Sequence, residues 1–355
     1  INTDQYSGYK QAGNTILYAS TTNFSTLGGY GAGTNLMTIA GAVNNTAFGY
    51  NALTSASLNA TADYNTAIGG QALAANTSGR QNTGVGQGAL QGNTTGDDNT
   101  ALGVNALNGN TTGTKNIGIG LGALQTATST SNQTAIGYGA LQNSATGVGN
   151  TAVGFQALTA NTYGGYNTAL GYSSLYSNTT GQQNVALGYV ALYANTTGTN
   201  NISIGMQNMS NNTTGSSNVS LGVNTLIANT TGSSNNAIGQ QALSGNTTGS
   251  NNVAFGQYAL LTATSTSNQT AIGYGALQNS ATGVQNNAFG YNALNANTYG
   301  NQSNAFGYTA LAANTTGYYN NAFGDAALAA NITGNNNNGF GRGALTQVTT
   351  GALNV

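Results

Sequence analysis

Large apolar residues return along this chain on a grid of 17 positions. One column runs Phe48, Ile68, Val85, Leu102, Ile119, Ile136, Val153 and Leu170, and continues through Leu187, Ile204, Leu221, Ile238, Phe255, Ile272, Phe289, Phe306, Phe323 and Phe340. Each member is followed by glycine, in unbroken steps of 17 from Gly69 to Gly341, with Gly49 standing 20 residues before Gly69. A second column holds Leu53, Leu73, Leu90, Leu107 and so on to Leu345, broken only by Met209. The unit reads N-T-A-φ-G-x-x-A-L-x-x-N-T-T-G-x-x, where φ is the first apolar column. Leu27-Gly28 with Gly31-Ala32 has the form of a degenerate first copy. Residues 126–148 recur unchanged at 262–284, an offset of 136, or eight periods, so the longer duplication kept the register.

A strict short period is the mark of a solenoid. Helical repeats are longer, and a unit dominated by Gly, Asn and Thr opposes helix formation. The expectation is therefore an all-β protein, a parallel β-solenoid (β-helix or β-roll) with 17-residue coils over residues 41–355. Residues 1–40 form an off-grid segment that serves as a cap or an inter-subunit joint. Each coil is expected to hold two short strands, T-A-φ and x-A-L, joined at Gly-bearing corners. Stacked at ~4.8 Å, about 18 such coils make a rod of roughly 85–90 Å.

The φ and Leu columns are the expected core, being the positions that are large and apolar throughout. Side chains alternate faces along a strand, so inward φ residues turn their Ala neighbours outward. Ala135, Ala152, Ala169 and Ala186 on one strand, with Ala140, Ala157 and Ala191 on the other, would then form a flat wall suited to close approach of another chain. In the competing arrangement the coils are so narrow that these alanines fill the core. The first Asn of the unit is kept in 15 of 18 coils, with Gln133, Gln269 and Ser303 as exceptions. Stacked amides at such positions hydrogen-bond along the axis.

Composition narrows the chemistry. Only nine residues are charged: Asp4, Asp63, Asp97, Asp98 and Asp325 against Lys10, Lys115, Arg80 and Arg342. His, Cys, Glu, Pro and Trp are absent, while 54 residues are Gly. Thiolate or imidazole metal sites and Cys or His nucleophile pairs are excluded. Four scattered cations do not make a nucleic-acid surface, and no stretch of 18 apolar residues offers a membrane helix. Asp97-Asp98, the one acidic pair, lies in a variable corner and reads as solvated. No catalytic, cofactor-binding or metal-ligating residue is assigned, and no cofactor; the chain does not read as an enzyme.

Two surface features remain. Asn93, Asn110, Asn178, Asn195, Asn212, Asn229, Asn246 and Asn314 open Asn-Thr-Thr sequons, whose acceptors would face solvent if the corners do. The position after the repeat Gly is aromatic at Tyr50, Tyr138, Phe155, Tyr172, Tyr189, Tyr274, Tyr291 and Tyr308. Such exposed rings could grip sugars or neighbouring filaments, or stack on one another.

Strings such as Asn65-Thr66-Ala67-Ile68-Gly69 and Gln133-Thr134-Ala135-Ile136-Gly137-Tyr138-Gly139-Ala140 resemble the S-x-A-I-G-x-x-A repeats of trimeric autotransporter adhesin heads. They are equally similar to the N-T-A-L-G-x-x-A-L arrays of phage-tail-fibre-like and bacterial surface proteins. The resemblance covers about residues 41–345 and implies a left-handed β-roll whose chains associate in threes through small residues. The period here is longer by the N-T-T-G corner. Thr94-Thr95, Thr111-Thr112 and their equivalents also form the threonine columns that an ice-binding solenoid would need.

The sequence starts at Ile1 without a signal segment and stops just after a repeat, at Thr350-Gly351-Ala352-Leu353-Asn354-Val355, without a polar cap. These ends lead to the expectation of a trimmed, exported product whose last coil offers strand edges to a partner. The partner expected is a second copy, joined head to tail through Ile16, Leu17 and Tyr18, side by side in a trimer, or both. The expected role is a passive structural or adhesive fibre on a cell or virion surface.

Overall fold

The computed structural model describes residues 9–11, 14–19, 24–36, 42–55 and 62–355. Among them every regular element is a strand, and no helix is long and apolar enough to cross a membrane. The chain divides into two compact units, residues 1–180 and 181–355.

The first unit opens with β1 (Tyr9–Gln11) and β2 (Asn14–Ala19), an antiparallel pair. β2 also lies antiparallel to β3 (Thr26–Gly28), and from β3 onward every pairing in the unit is parallel. β3 pairs with β4 (Thr46–Phe48), and β4 with β5 (Thr66–Ile68), each across 20 residues; thereafter the step is 17, down to β11 (Thr168–Leu170). β3 is thus the degenerate first coil, within the segment expected to lie off the grid. The second unit repeats the same parallel stack from β12 (Val185–Leu187) to β21 (Asn338–Phe340). Ile136, Val153 and Leu170 lie in one register column.

The coil holds one strand rather than two. T-A-φ is a strand; x-A-L is a run of turns in which leucine has a positive φ, from Leu141 at 50° to Leu158 at 55°. The turns still bond to the next coil: Leu73 N–H donates to Ala89 O at 2.9 Å, much as Thr83 N–H in the strand donates to Asn99 O at 2.8 Å. This geometry explains a difference between the two apolar columns. A β-branched side chain is disfavoured at positive φ, and in these turns only Val190 at 47° and Thr309 at 52° adopt it among the described residues. The leucine column accordingly contains Leu and Met209 but no Ile or Val, whereas the φ column, in extended backbone, accepts both freely.

The core assignment is reversed for the strand. Strand alternation holds, but Ala is the inward residue: Ala67, Ala101, Ala135 and Ala152 are fully buried, as are Ala72, Ala140 and Ala157 in the turn. The flanking φ residues face outward, with Ile68 42% and Leu102 48% exposed. The coil is too narrow for two facing columns of large side chains. One Leu, two Ala and two Asn fill it, so the expected outward Ala wall does not exist. The first coil shows the same volume constraint by exchange. Leu27 stands in the Ala column opposite Ala47, while Gly33 stands in the Leu column, where an added Cβ would meet Leu27 Cδ2 at 2.6 Å.

Both asparagines are interior, and each forms a ladder. In the first, Asn82 Oδ1 accepts the backbone N–H of Asn99 at 3.0 Å, and Asn82 Nδ2 donates to Gly96 O at 2.8 Å. In the second, Asn93 Nδ2 donates to Asn76 Oδ1 and also to Gly96 O. One glycine carbonyl therefore ties the two ladders together. A Cβ on Gly96 would lie 2.5 Å from Asn93 Oδ1 and 2.3 Å from Gly113 O, so this glycine is required for space. The glycine after φ is required for conformation as well: Gly69 has φ +130°, a region that L side chains rarely adopt.

Candidate interaction surface

The strand presents two outward columns, its first residue and φ, on one face. In the second unit these include Val185 with Leu187, Ile202 with Ile204, Val219 with Leu221, and Val253 with Phe255; all are half-buried or exposed. Phe289, Phe306, Phe323 and Phe340 stack successively, with ring centroids 4.5, 4.8 and 5.2 Å apart. The φ column is thus a continuous apolar ribbon, whereas the first column turns polar at Asn236 and from Thr270 onward, where Asn287, Asn304, Asn321 and Asn338 bond amide to amide. Sequence reasoning missed it because size and hydrophobicity were taken as marks of burial. The presence of β-branched residues in the φ column and their absence from the leucine column could have revealed which column sits in the strand.

Two residues beyond φ, just after the repeat glycine, lies the aromatic column. Tyr138, Phe155 and Tyr172 stack at 5.2 and 5.0 Å in the first unit, and Tyr274, Tyr291 and Tyr308 at 5.3 Å in the second. These rings are exposed and parallel, as the stacking alternative anticipated. Strand spacing and ring-stacking distance are nearly equal, so one ring per coil forms a stack.

The sequons do not face solvent. Asn93, Asn110, Asn178, Asn195, Asn212, Asn229, Asn246 and Asn314 are fully buried. Their amides belong to the second ladder, as with Asn229 Nδ2 donating to Asn212 Oδ1 at 2.7 Å. Buried amides demand partners, and that demand draws asparagine inward at a corner whose sequence otherwise suggests an exposed turn. The first threonine is also occupied: Thr94 Oγ1 donates to Thr111 O at 2.9 Å. The second is exposed, and its column is interrupted by the exposed Tyr163 and Tyr299.

Two of the aspartates serve the corners. Asp97 Oδ1 accepts Arg80 N–H at 2.7 Å, the role played by Ser131 Oγ toward Thr114 N–H and by Asn301 Oδ1 toward Val284 N–H. Asp63 Oδ1 likewise accepts Val43 N–H. Asp325 and Arg342 approach to 3.5 Å at the surface, where ion pairs contribute little. Among the described residues no three His, Cys, Asp or Glu side chains gather where they could hold a metal. No protein-family model matches the sequence, and no curated protein is significantly similar to it.

Proposed function

We propose that the chain is a non-catalytic structural subunit of an extracellular homopolymeric fibre on a cell or virion surface, in which copies pack side by side through the outward strand face. A parallel β-solenoid built of tandem coils is compatible with a fibre or adhesin role. The observation that carries the finer reading is the apolar ribbon. Soluble monomers rarely expose contiguous apolar patches beyond a few hundred Å². Covering an exposed two-fifths of a φ side chain, the fraction at Leu187, Leu221 and Phe255, contributes roughly 0.6–1.2 kcal/mol, scaled from full burial of such residues, and less at Ile204, Ile238, Ile272, Phe289 and Phe306, which are half-buried. Over the second unit the sum is several kcal/mol, on the order of 5, before the cost of association. A net charge of −1 offers little opposing repulsion. Lateral association thus uses the φ column in place of the alanines. End-to-end joining through residues 1–40 is a second mode, motivated by β1, which pairs on one side with β2.

Light scattering on fractionated protein, with negative-stain electron microscopy, tests the proposal. Bundles or fibres of several chains are expected at micromolar concentration. Single chains throughout that range overturn it.

A further inference from the structure

The aromatic column has one break that leaves a shaped space. Tyr30 and Tyr50 stack at 6.0 Å with planes 9° apart, and the next two coils place Gly70 and Gln87 where rings stand elsewhere. Tyr50, Gly70, Gln71 and Gln87 line an open cavity of about 510 Å³ there. An added Cβ on Gly70 would meet nothing within 4 Å. Tyr50 and Gln87 are two coils apart, about 9.5 Å. A single ring needs about 3.5–4 Å on each side, so the space between them admits one ring and no more.

We propose that this slot binds one hexopyranose ring of a neutral glycan chain. Tyr50 supplies the platform: one face is held against Tyr30, and the other faces the space above Gly70. The apolar C–H face of a pyranose packs on such a ring. The Gln71 and Gln87 amides supply the rim. Among the described residues neither makes a side-chain hydrogen bond, whereas Gln257, in the column of Gln87, donates to Gln240 at 3.1 Å. Gln87 lacks that partner because its neighbour in the column is Gly70. Each free amide offers two donors and an acceptor, matching hydroxyls that radiate in the plane of a sugar ring. No lining residue is charged, which selects a neutral sugar, and the open outer side lets a chain continue in both directions. The proposal does not rest on the fibre reading.

Gly70→Tyr is the decisive variant. Gly70 has neither a positive φ nor a close neighbour, and its column carries Tyr in other coils. The substitution therefore extends the ring stack through the slot without disturbing the coil. Isothermal titration calorimetry with neutral hexaoses of glucose, mannose, galactose and N-acetylglucosamine should show saturable binding of at least one, with none in Gly70→Tyr. Gln87→Ala should weaken that binding several-fold, and Tyr50→Ala by about tenfold, the loss of one ring contact. Three results overturn the proposal: no hexaose binds the intact protein, binding survives Gly70→Tyr, or p-cresol displaces the sugar at equal concentration. Assembly, followed by light scattering on the same samples, is expected to be the same in all three variants, so failure of the fibre reading is separately visible.

Discussion

The side-chain amide of Asn93 donates to Asn76 Oδ1 at 2.8 Å while its own Oδ1 accepts from Asn110 Nδ2 at 2.7 Å. Each amide is thus held from both sides along the coil stack. Asn93→Ala leaves a buried acceptor and a buried donor without these partners, at about 1–3 kcal/mol each. The expected loss is about 2–5 kcal/mol in urea unfolding, against less than 0.5 kcal/mol for a change at the exposed Thr95.

The ladder is broken naturally at Ala127, where Thr130 replaces the corner glycine, and again at Ala263 with Thr266. Asn110 Oδ1 and Asn246 Oδ1, one coil earlier, are left without partners, as are the Thr130 and Thr266 hydroxyls. Ala127→Asn alone crowds the Thr130 side chain and destabilises. With Thr130→Gly added, the consensus corner returns, Asn110 regains a donor, and stability should exceed that of the unmodified chain by about 1–3 kcal/mol. A double-mutant cycle measured by urea unfolding reads the coupling; additive effects would refute it.

In the leucine column, backbone conformation should outweigh hydrophobicity. Leu158→Met is expected to cost less than about 1.5 kcal/mol, as a volume-conserving exchange. Leu158→Ile places a β-branched residue at φ 55° and should cost at least about 1 kcal/mol more. Thermal melts of the two variants rank them.

The two sides of the strand should respond oppositely. Ile204→Thr, Leu221→Thr and Ile238→Thr, combined, retain strand-compatible side chains and should change the stability of the single chain little while reducing assembly sharply. Ala237→Leu, directed into the narrow interior, should cost about 1–3 kcal/mol by overpacking. Ala237→Ser should be tolerated, because Ser203 and Ser220 occupy that column and are buried, Ser203 Oγ donating to Asn208 O. Unfolding curves and light scattering on the same samples separate stability from association.

The sequon asparagines should resist modification in the folded state. Exposing native protein to an oligosaccharyltransferase is expected to leave the intact mass unchanged. Chains glycosylated while unfolded should fail to regain the ladder, read as loss of the cooperative unfolding transition. A native protein bearing glycan on Asn93 or Asn229 would contradict their burial.

Much of the fold was legible because period and register are one quantity in a solenoid: 17-residue spacing in the sequence becomes coil-to-coil pairing of Thr83 with Thr100. The stacked first asparagine was legible for the same reason. The inside and outside of Ile68 were not, since period alone does not orient a strand, and the interior width that admits Ala67 but not Ile68 depends on where Leu73 points from its turn. Asn93 was misplaced because Asn-Thr-Thr-Gly is favourable both as a solvated turn and as an interior amide beside a bare glycine. The slot beside Tyr50 depended on knowing that its column stacks outside; once that is known, Gly70 is conspicuous among the tyrosines.

The break in the second ladder has a mechanical consequence. Under tension along the stacking direction, successive coils bear the load in series, and the weakest junction sets the force at which a unit parts. In the first unit the ladder is interrupted across Ala127 and Ser144; in the second it is interrupted across Ala263 and Ser280, and again where Asn331 meets Val348. Rupture would begin at one of these interruptions, and the coils on either side would remain wound.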